Sequence, residues 1–341
     1  MLLSIAFSGS WHDSNQTLCS PLFSSWSRLS KTKINETLQC DVPCCSPLKS
    51  MMEIVILLIT ISMLFSYLSR QLHTPTNLLL LSLAVSDSLV GPLLFFQIML
   101  IDNCWFLGDL MCTLYTVVDF IITSASIGTM VLIAVDRYVA ICDPLHYSYK
   151  VTQKRVQVCV CLCWIFSAFL NSLLLKNNLE QPGRYNSCLG ECVVVINYIA
   201  SLADIFLSFI GPVTVIIVLY MRVFVVAVSQ ARAMRSQIAS FPLKCSVTVT
   251  AKKSEMKAAR TLGVVIVVFL LCICPYYCVV LTGQDTLFNA SSVAFVICLF
   301  YFNSCLNPVI YAFFYPWFRK SIKLIVTLKI LQPGSYQTNM M

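Results

Sequence analysis

VVDFIITSASIGTMVLIAVDRY, residues Val117–Tyr138, is the stretch around which the rest of the chain arranges itself. It is apolar throughout, with Asp119 near its start and the triplet Asp136-Arg137-Tyr138 at its end. A helix rises about 1.5 Å per residue, so the two acids stand about 25 Å apart, most of the hydrocarbon thickness of a bilayer. A charge inside lipid costs free energy, and an acid kept there marks a working site. Asp119 reads as a hook for a cation, and Arg137 as a latch at the cytoplasmic end.

Composition agrees with a membrane setting. The chain has 341 residues, of which 58% are hydrophobic and 11% charged, and its mean hydropathy is +0.81. A soluble domain carries about a quarter charged residues, so a polytopic membrane protein is expected. Seven apolar segments follow one another without an internal repeat: Ile54–Leu68, Leu78–Ile101, Leu110–Ile141, Val156–Leu175, Val193–Val228, Leu262–Leu281 and Val293–Phe314. The first is shorter than the ~20 residues that usually span. Pro275 sits inside the sixth and is expected to kink it.

The basic residues set the orientation. Arg70, Arg137, Lys150, Lys154, Arg155, Arg222, Arg232, Arg235, Lys244, Lys252, Lys253, Lys257, Arg260, Arg319, Lys320, Lys323 and Lys329 fall on one side, whereas the facing loops between spans carry only Lys176 and Arg184. Positive charge stays inside, which puts the N-terminus outside and the C-terminus in the cytoplasm. The net charge of +8 is therefore a topology signal and does not point to nucleic acid. Residues 1–50 read as an extracellular tail with sequons at Asn15 and Asn35 and with Cys19, Cys40, Cys44 and Cys45. Residues 51–314 hold the bundle. In residues 315–341, Phe318, Ile322, Ile325 and Leu328 share one face against Arg319, Lys320 and Lys323, as in an amphipathic helix lying on membrane lipid; a fraying tail is the alternative.

With these features in order, the chain from the second span onward resembles a rhodopsin-like, class A G-protein-coupled receptor. The marks are Asp87 in LLLLSLAVSDSLVG, Cys112, the Asp136-Arg137-Tyr138 triplet, Trp164, Pro212 with Tyr220, Pro275, and Asn307-Pro308 with Tyr311. QLHTPTNLLLLSLAVSD, CWFLGDLMC, VDRYVAICDPLHY and NSCLNPVIYAFFYPWFRK are similar to the trace amine-associated receptors in particular. The resemblance implies an all-α membrane protein: a seven-transmembrane helix bundle with a short amphipathic eighth helix, and not an enzyme. It implies a plasma-membrane receptor whose partners are a small-molecule amine and a heterotrimeric G protein, of the stimulatory or olfactory type that raises cyclic AMP.

Roles follow at the matching positions. Asp119 takes the place where amine receptors hold the ligand's ammonium. Asp204 lies eight residues before Pro212 and is expected to face the same pocket, as in family members that sense diamines or polyamines; alternatively it tops its helix in water. Thr123, Tyr276, Tyr277 and Tyr301 stand where the family lines the pocket, although membrane aromatics also serve as packing. Cys112 and Cys192 match the family disulfide, and Cys188 its additional cysteine, whose N-terminal partner stays open among four. Asp87, Ser126, Asn303, Ser304 and Asn307 match a cluster that binds sodium in this class; a water-filled network is the alternative. No other cofactor is implied. Arg137 is expected to pair with Asp136 and with Glu255, which otherwise reads as a solvated loop charge. Tyr138, Tyr220, Pro275, Asn307, Pro308 and Tyr311 complete the coupling machinery.

Two positions depart from the pattern. Ile273 stands where the class has a tryptophan toggle, and Ile59 where it has an asparagine bonded to the Asp87 network. A monoamine neurotransmitter-type receptor is the alternative function, against which Asp204 speaks. A transporter or intramembrane enzyme is remote, because no paired broken half-helices and no catalytic or metal-ligand set fall within the spans.

Overall fold

The computed structural model describes residues 74–101, 105–186, 192–240, 246–282 and 290–314. The first span, the tail carrying Asn15 and Asn35, Cys188 and the amphipathic segment after 314 lie outside these residues. What is described is a bundle of long helices. The second span is Pro75–Ile101, the third Gly108–Cys142, the fourth Gln153–Leu174, the sixth Ser246–Thr282 and the seventh Ala290–Phe314. Five helices among the described residues are long and apolar enough to cross a membrane, and the seventh adds the apolar run Ala294–Asn307.

The third span is the central column. It packs against the second, fourth, fifth and sixth spans, and seventeen of its residues are buried. Its middle, Ser124-Ala125-Ser126-Ile127-Gly128-Thr129, carries small side chains, and these let neighbouring helices come close where no water drives association. Hydroxyls and amides then tie the column to its neighbours. Ser82 and Thr129 lie 3.1 Å apart, and Trp164 Nε1 donates to Ser82 Oγ at 3.1 Å. Asn171 Nδ2 donates to Ser124 Oγ at 3.0 Å and to the Phe120 carbonyl at 3.3 Å. The fourth span needs these bonds, because its apolar side chains face outward: Leu162, Ile165, Phe166, Phe169 and Leu173 are all more than half exposed, as a lipid-facing surface should be.

Two apolar clusters fill the bundle. One gathers Leu80, Leu83, Ile127, Met130, Ile133, Ile216 and Phe269; the other gathers Leu93, Leu94, Trp105, Tyr115, Ile122, Ile196 and Tyr301. Tyr276 and Phe300 pack against both and join them. Ile273 is buried in the first cluster beside Phe269 and Tyr277, so an aliphatic side chain occupies the expected tryptophan's place.

The fifth span differs from the reading of Val193–Val228 as one continuous segment. Val193–Asn197 is non-helical, and the helix begins at Tyr198, with Asn197 Oδ1 accepting from the Ile199 amide. Val195 instead pairs both backbone groups with the Asn178 side chain, at 2.9 and 3.4 Å. Between Tyr198–Ile205 and Gly211–Ser240 the chain makes a π-helical turn, Phe206–Ile210, closed by the Gly211 amide on the Phe206 carbonyl. Gly211-Pro212 explains it: proline lacks the amide that would continue the α-helical ladder, and one wider turn relieves its clash with the preceding carbonyls.

Gly128 lies where the third span packs against the fourth, and an added Cβ there would overlap Cys163 Sγ. We expect Gly128→Ala to destabilise the receptor by about 1–3 kcal/mol through overpacking. Adding Cys163→Ala should recover most of the loss, as read by thermal unfolding in detergent.

Candidate ligand-binding site

Asp119 is buried on the third span, 8% exposed, and its Oδ1 accepts a hydrogen bond from the Tyr301 hydroxyl at 2.9 Å. Asp204 is half-buried on the fifth span, and its Oδ1 accepts from the Ser208 hydroxyl at 2.8 Å. Neither Oδ2 takes a hydrogen bond among the described residues. Each acid is therefore held by one neutral hydroxyl with its second oxygen left over, and a buried carboxylate in that state favours a cation. A run of neighbouring rings, Phe209–Tyr277–Tyr276–Phe300–Tyr301, leads from the fifth span beside Ser208 to the phenol that binds Asp119.

Tyr277 stacks on Phe209 with centroids 4.0 Å apart, Tyr276 lies 4.7 Å from Phe300, and Phe300 lies 5.4 Å from Tyr301. Phe209, within the π turn, and Phe300 were not foreseen; the place of Phe300 next to Tyr301 in the sequence is the signal that would have found it. Aromatic faces attract ammonium groups more strongly where water is excluded. Of the three tyrosines expected to line the pocket, Tyr301 bonds Asp119, whereas Tyr276 and Tyr277 make no hydrogen bond to it among the described residues. Thr123 is half-buried one turn below and also makes no bond to Asp119.

The segment between the fourth and fifth spans is tied to this end of the third span. Cys112 and Cys192 form the expected disulfide, with a Cα–Cα distance of 5.5 Å. Asn186 bridges Asp109 Oδ1 at 2.7 Å and the Val193 amide at 2.9 Å. Gly183 has φ +75 and sits against the Asp109 carboxylate, so a side chain there would be both strained and obstructed.

Deeper in the bundle, Asn307 Nδ2 donates to Asp87 Oδ2 at 3.0 Å. Asp87 Oδ1, Asn303 Oδ1 and Asn307 Oδ1 are buried oxygens without a hydrogen bond among the described residues, and Ser126 and Ser304 are buried as well. Such a set of oxygen donors fits a hard cation.

At the other end of the third span Arg137 pairs with Asp136 and donates to Thr76 Oγ1 at 2.6 Å. Tyr147, on a single helical turn in the loop between the third and fourth spans, donates to Asp136 Oδ1 at 2.8 Å, and Thr76 donates to Oδ2 at 3.1 Å. Sequence reasoning missed Thr76 and Tyr147. Asp136 and Arg137 are buried, while Tyr138 faces outward at 36% exposure. Glu255 falls on the sixth helix, but its side chain, like those of Pro308 and Tyr311, lies outside the described residues. In the same loop Lys150 and His146 lie beside the half-exposed Asp143, and together they hold its carboxyl down to about 2. Asp143 therefore stays ionised across physiological pH.

A buried carboxylate bound by a tyrosine near one end of the third span, and a buried arginine–aspartate pair near its other end, sit where the family resemblance expects them. Residues 55–311 match the family described as 7 transmembrane receptor (rhodopsin family), and the chain belongs to it. Within that family it is one of the trace amine-associated receptors. It is 39% identical to trace amine-associated receptor 13c of Danio rerio, over 80% of this chain and 82% of the relative. It is 37% identical to receptor 8a of Rattus norvegicus, over 82% and 83% of the two chains. It is also 34% identical to receptor 1 of Mus musculus, over 86% and 92%.

The Asp136 contacts generate a prediction. Asp136→Asn should release Arg137 and raise ligand-free G-protein activation several-fold, about 1 kcal/mol of bias toward the signalling state. Tyr147→Phe should raise it less. Nucleotide exchange on a purified G protein, without any amine, reads both.

Proposed function

We propose that this protein is a plasma-membrane receptor for small amines, diamines or polyamines above all, which raises cyclic AMP through a stimulatory or olfactory G protein. The observation that carries the reading is a pair of acids, Asp119 and Asp204, each held by one neutral hydroxyl, with a run of aromatic rings leading from one span to the other. Two like charges sharing a site repel when it is empty, and a ligand with two ammonium groups relieves both at once. Helix axes about 8–10 Å apart leave room between them for a short alkyl chain. Membership of a family named for trace amines supports the ligand class.

Ligand binding would shift a two-state equilibrium in which Arg137 leaves Asp136, the sixth helix moves outward, and Tyr220 and Tyr311 rearrange to admit the G protein. In this proposal the N-terminal tail is extracellular, with glycans at Asn15 and Asn35 and a bond from Cys188 to one of the tail cysteines. Sodium is the proposed occupant of the Asp87 cluster, held by oxygens of Asp87, Asn303 and Asn307 with Ser126 and Ser304, where it would weight the resting state.

A cyclic-AMP reporter in cells expressing the chain should respond to putrescine or cadaverine. Asp119→Ala should abolish every amine response. Asp204→Ala should weaken diamines about tenfold or more, while one-amine analogues change little. Equal losses for both ligand types would remove Asp204 from the site and favour a monoamine receptor. Silence toward all amines, with the protein counted at the cell surface, would end the amine reading.

A further inference from the structure

Gln97 and Tyr115 belong to neither acid's immediate surroundings, yet both touch the group that holds Asp119. They are buried, 3% and 4% exposed, on the second and third spans. Tyr115 lies four residues before Asp119, one helical turn away on the same face. Its hydroxyl donates to Gln97 Oε1 at 2.6 Å, the shortest contact in the group. The Tyr301 hydroxyl lies 2.9 Å from Asp119 Oδ1, 3.4 Å from Gln97 Oε1 and 3.4 Å from the Tyr115 hydroxyl.

A phenol has one proton to give. Tyr301 therefore faces three acceptors and can serve one well. Gln97 is the competitor to Asp119, because a buried carbonyl left without a donor is unfavourable and would draw the nearest proton. Tyr115 removes that competition by donating to Gln97 itself.

We infer that Tyr115 and Gln97 are positioning residues for amine recognition: by bonding to each other they leave the Tyr301 proton to Asp119 Oδ1, which fixes the carboxylate with Oδ2 turned to the ligand. The inference rests on the reading of Asp119 as the ammonium-binding acid. Its signature is a dependence on Tyr301 that simple packing would not have. Tyr115→Phe leaves Gln97 Oε1 unsatisfied and redirects the Tyr301 proton, whereas Gln97→Met in the same chain removes the competitor and returns it.

The test uses the full-length receptor in membranes from whole cells, with nucleotide exchange on an added G protein as readout, so that poor surface delivery does not obscure the result. Cadaverine and pentylamine are the probes. Tyr115→Phe should raise the EC50 of both by about three- to tenfold, since both probes meet Asp119. Adding Gln97→Met should bring the EC50 back toward the starting value. In a Tyr301→Phe background, Tyr115→Phe should add nothing. An unchanged EC50 in Tyr115→Phe, a deeper loss on adding Gln97→Met, or an undiminished Tyr115 effect without the Tyr301 hydroxyl would each overturn the inference. Asp119→Asn separates this outcome from failure of the underlying reading. If that variant still responds to both probes, the ammonium site itself is wrong; if it is silent, the double-variant results judge Tyr115 and Gln97 alone.

Discussion

A carboxylate enclosed by a lipid-embedded bundle must be compensated, and among the described residues no lysine or arginine pairs with Asp119. One phenol does the work instead: Tyr301, on the seventh span, reaches across to the third. A neutral donor stabilises the acid without cancelling its charge, so attraction for an outside cation survives. Much else in the bundle follows from that arrangement. Tyr301 has to be aimed, which brings in Phe300 on one side and the Gln97–Tyr115 pair on the other. The third span has to stand still, and its small central residues let the second and fourth spans grip it.

The same logic recurs at the other end of the third helix with opposite sign. Arg137 is a buried cation, and Asp136 neutralises it from the neighbouring position while Thr76 and Tyr147 bind what remains. Two spans and one loop thus contribute to a single buried charge pair. At the top one carboxylate oxygen is left over, where we propose that a ligand binds; at the bottom the charge is met from within the chain. That asymmetry is what a receptor needs if its resting state is to be stable without ligand.

Much of this was legible in the residues. Apolar runs located the spans, because hydrocarbon demands them. Asp119 and Asp204 stood out because acids within such runs are rare, and the Cys112–Cys192 bond was carried by likeness to a known family. What could not be read is where one element answers to another far away in sequence. The 2.6 Å bond of Tyr115 to Gln97 looks like nothing in a list of apolar positions, and Tyr147 reads as a loop aromatic until the fold brings it to Asp136. The early part of the fifth span misled for a local reason. Val193–Ile196 is as apolar as any helix, but Asn178 supplies Val195 with backbone partners that a helix would otherwise provide. Ile273 is the converse case: the departure was plain in the sequence, and the structure shows the vacated volume taken up by aliphatic packing around Phe269.

The π turn at Phe206–Ile210 separates the fifth span into two pieces that do not share one helical register. One surplus residue in a turn corresponds to about 100° of rotation between the faces above and below it. Asp204 stands above the turn, and Tyr220 below it. Reabsorbing the surplus would swivel the ligand-facing piece about its own axis while the cytoplasmic piece kept its seating on the third span. A pull on Asp204 is thus offered a rotary joint, and in a bundle whose sixth span lacks the customary tryptophan lever, torsion is a form of motion that needs no bulky side chain to carry it.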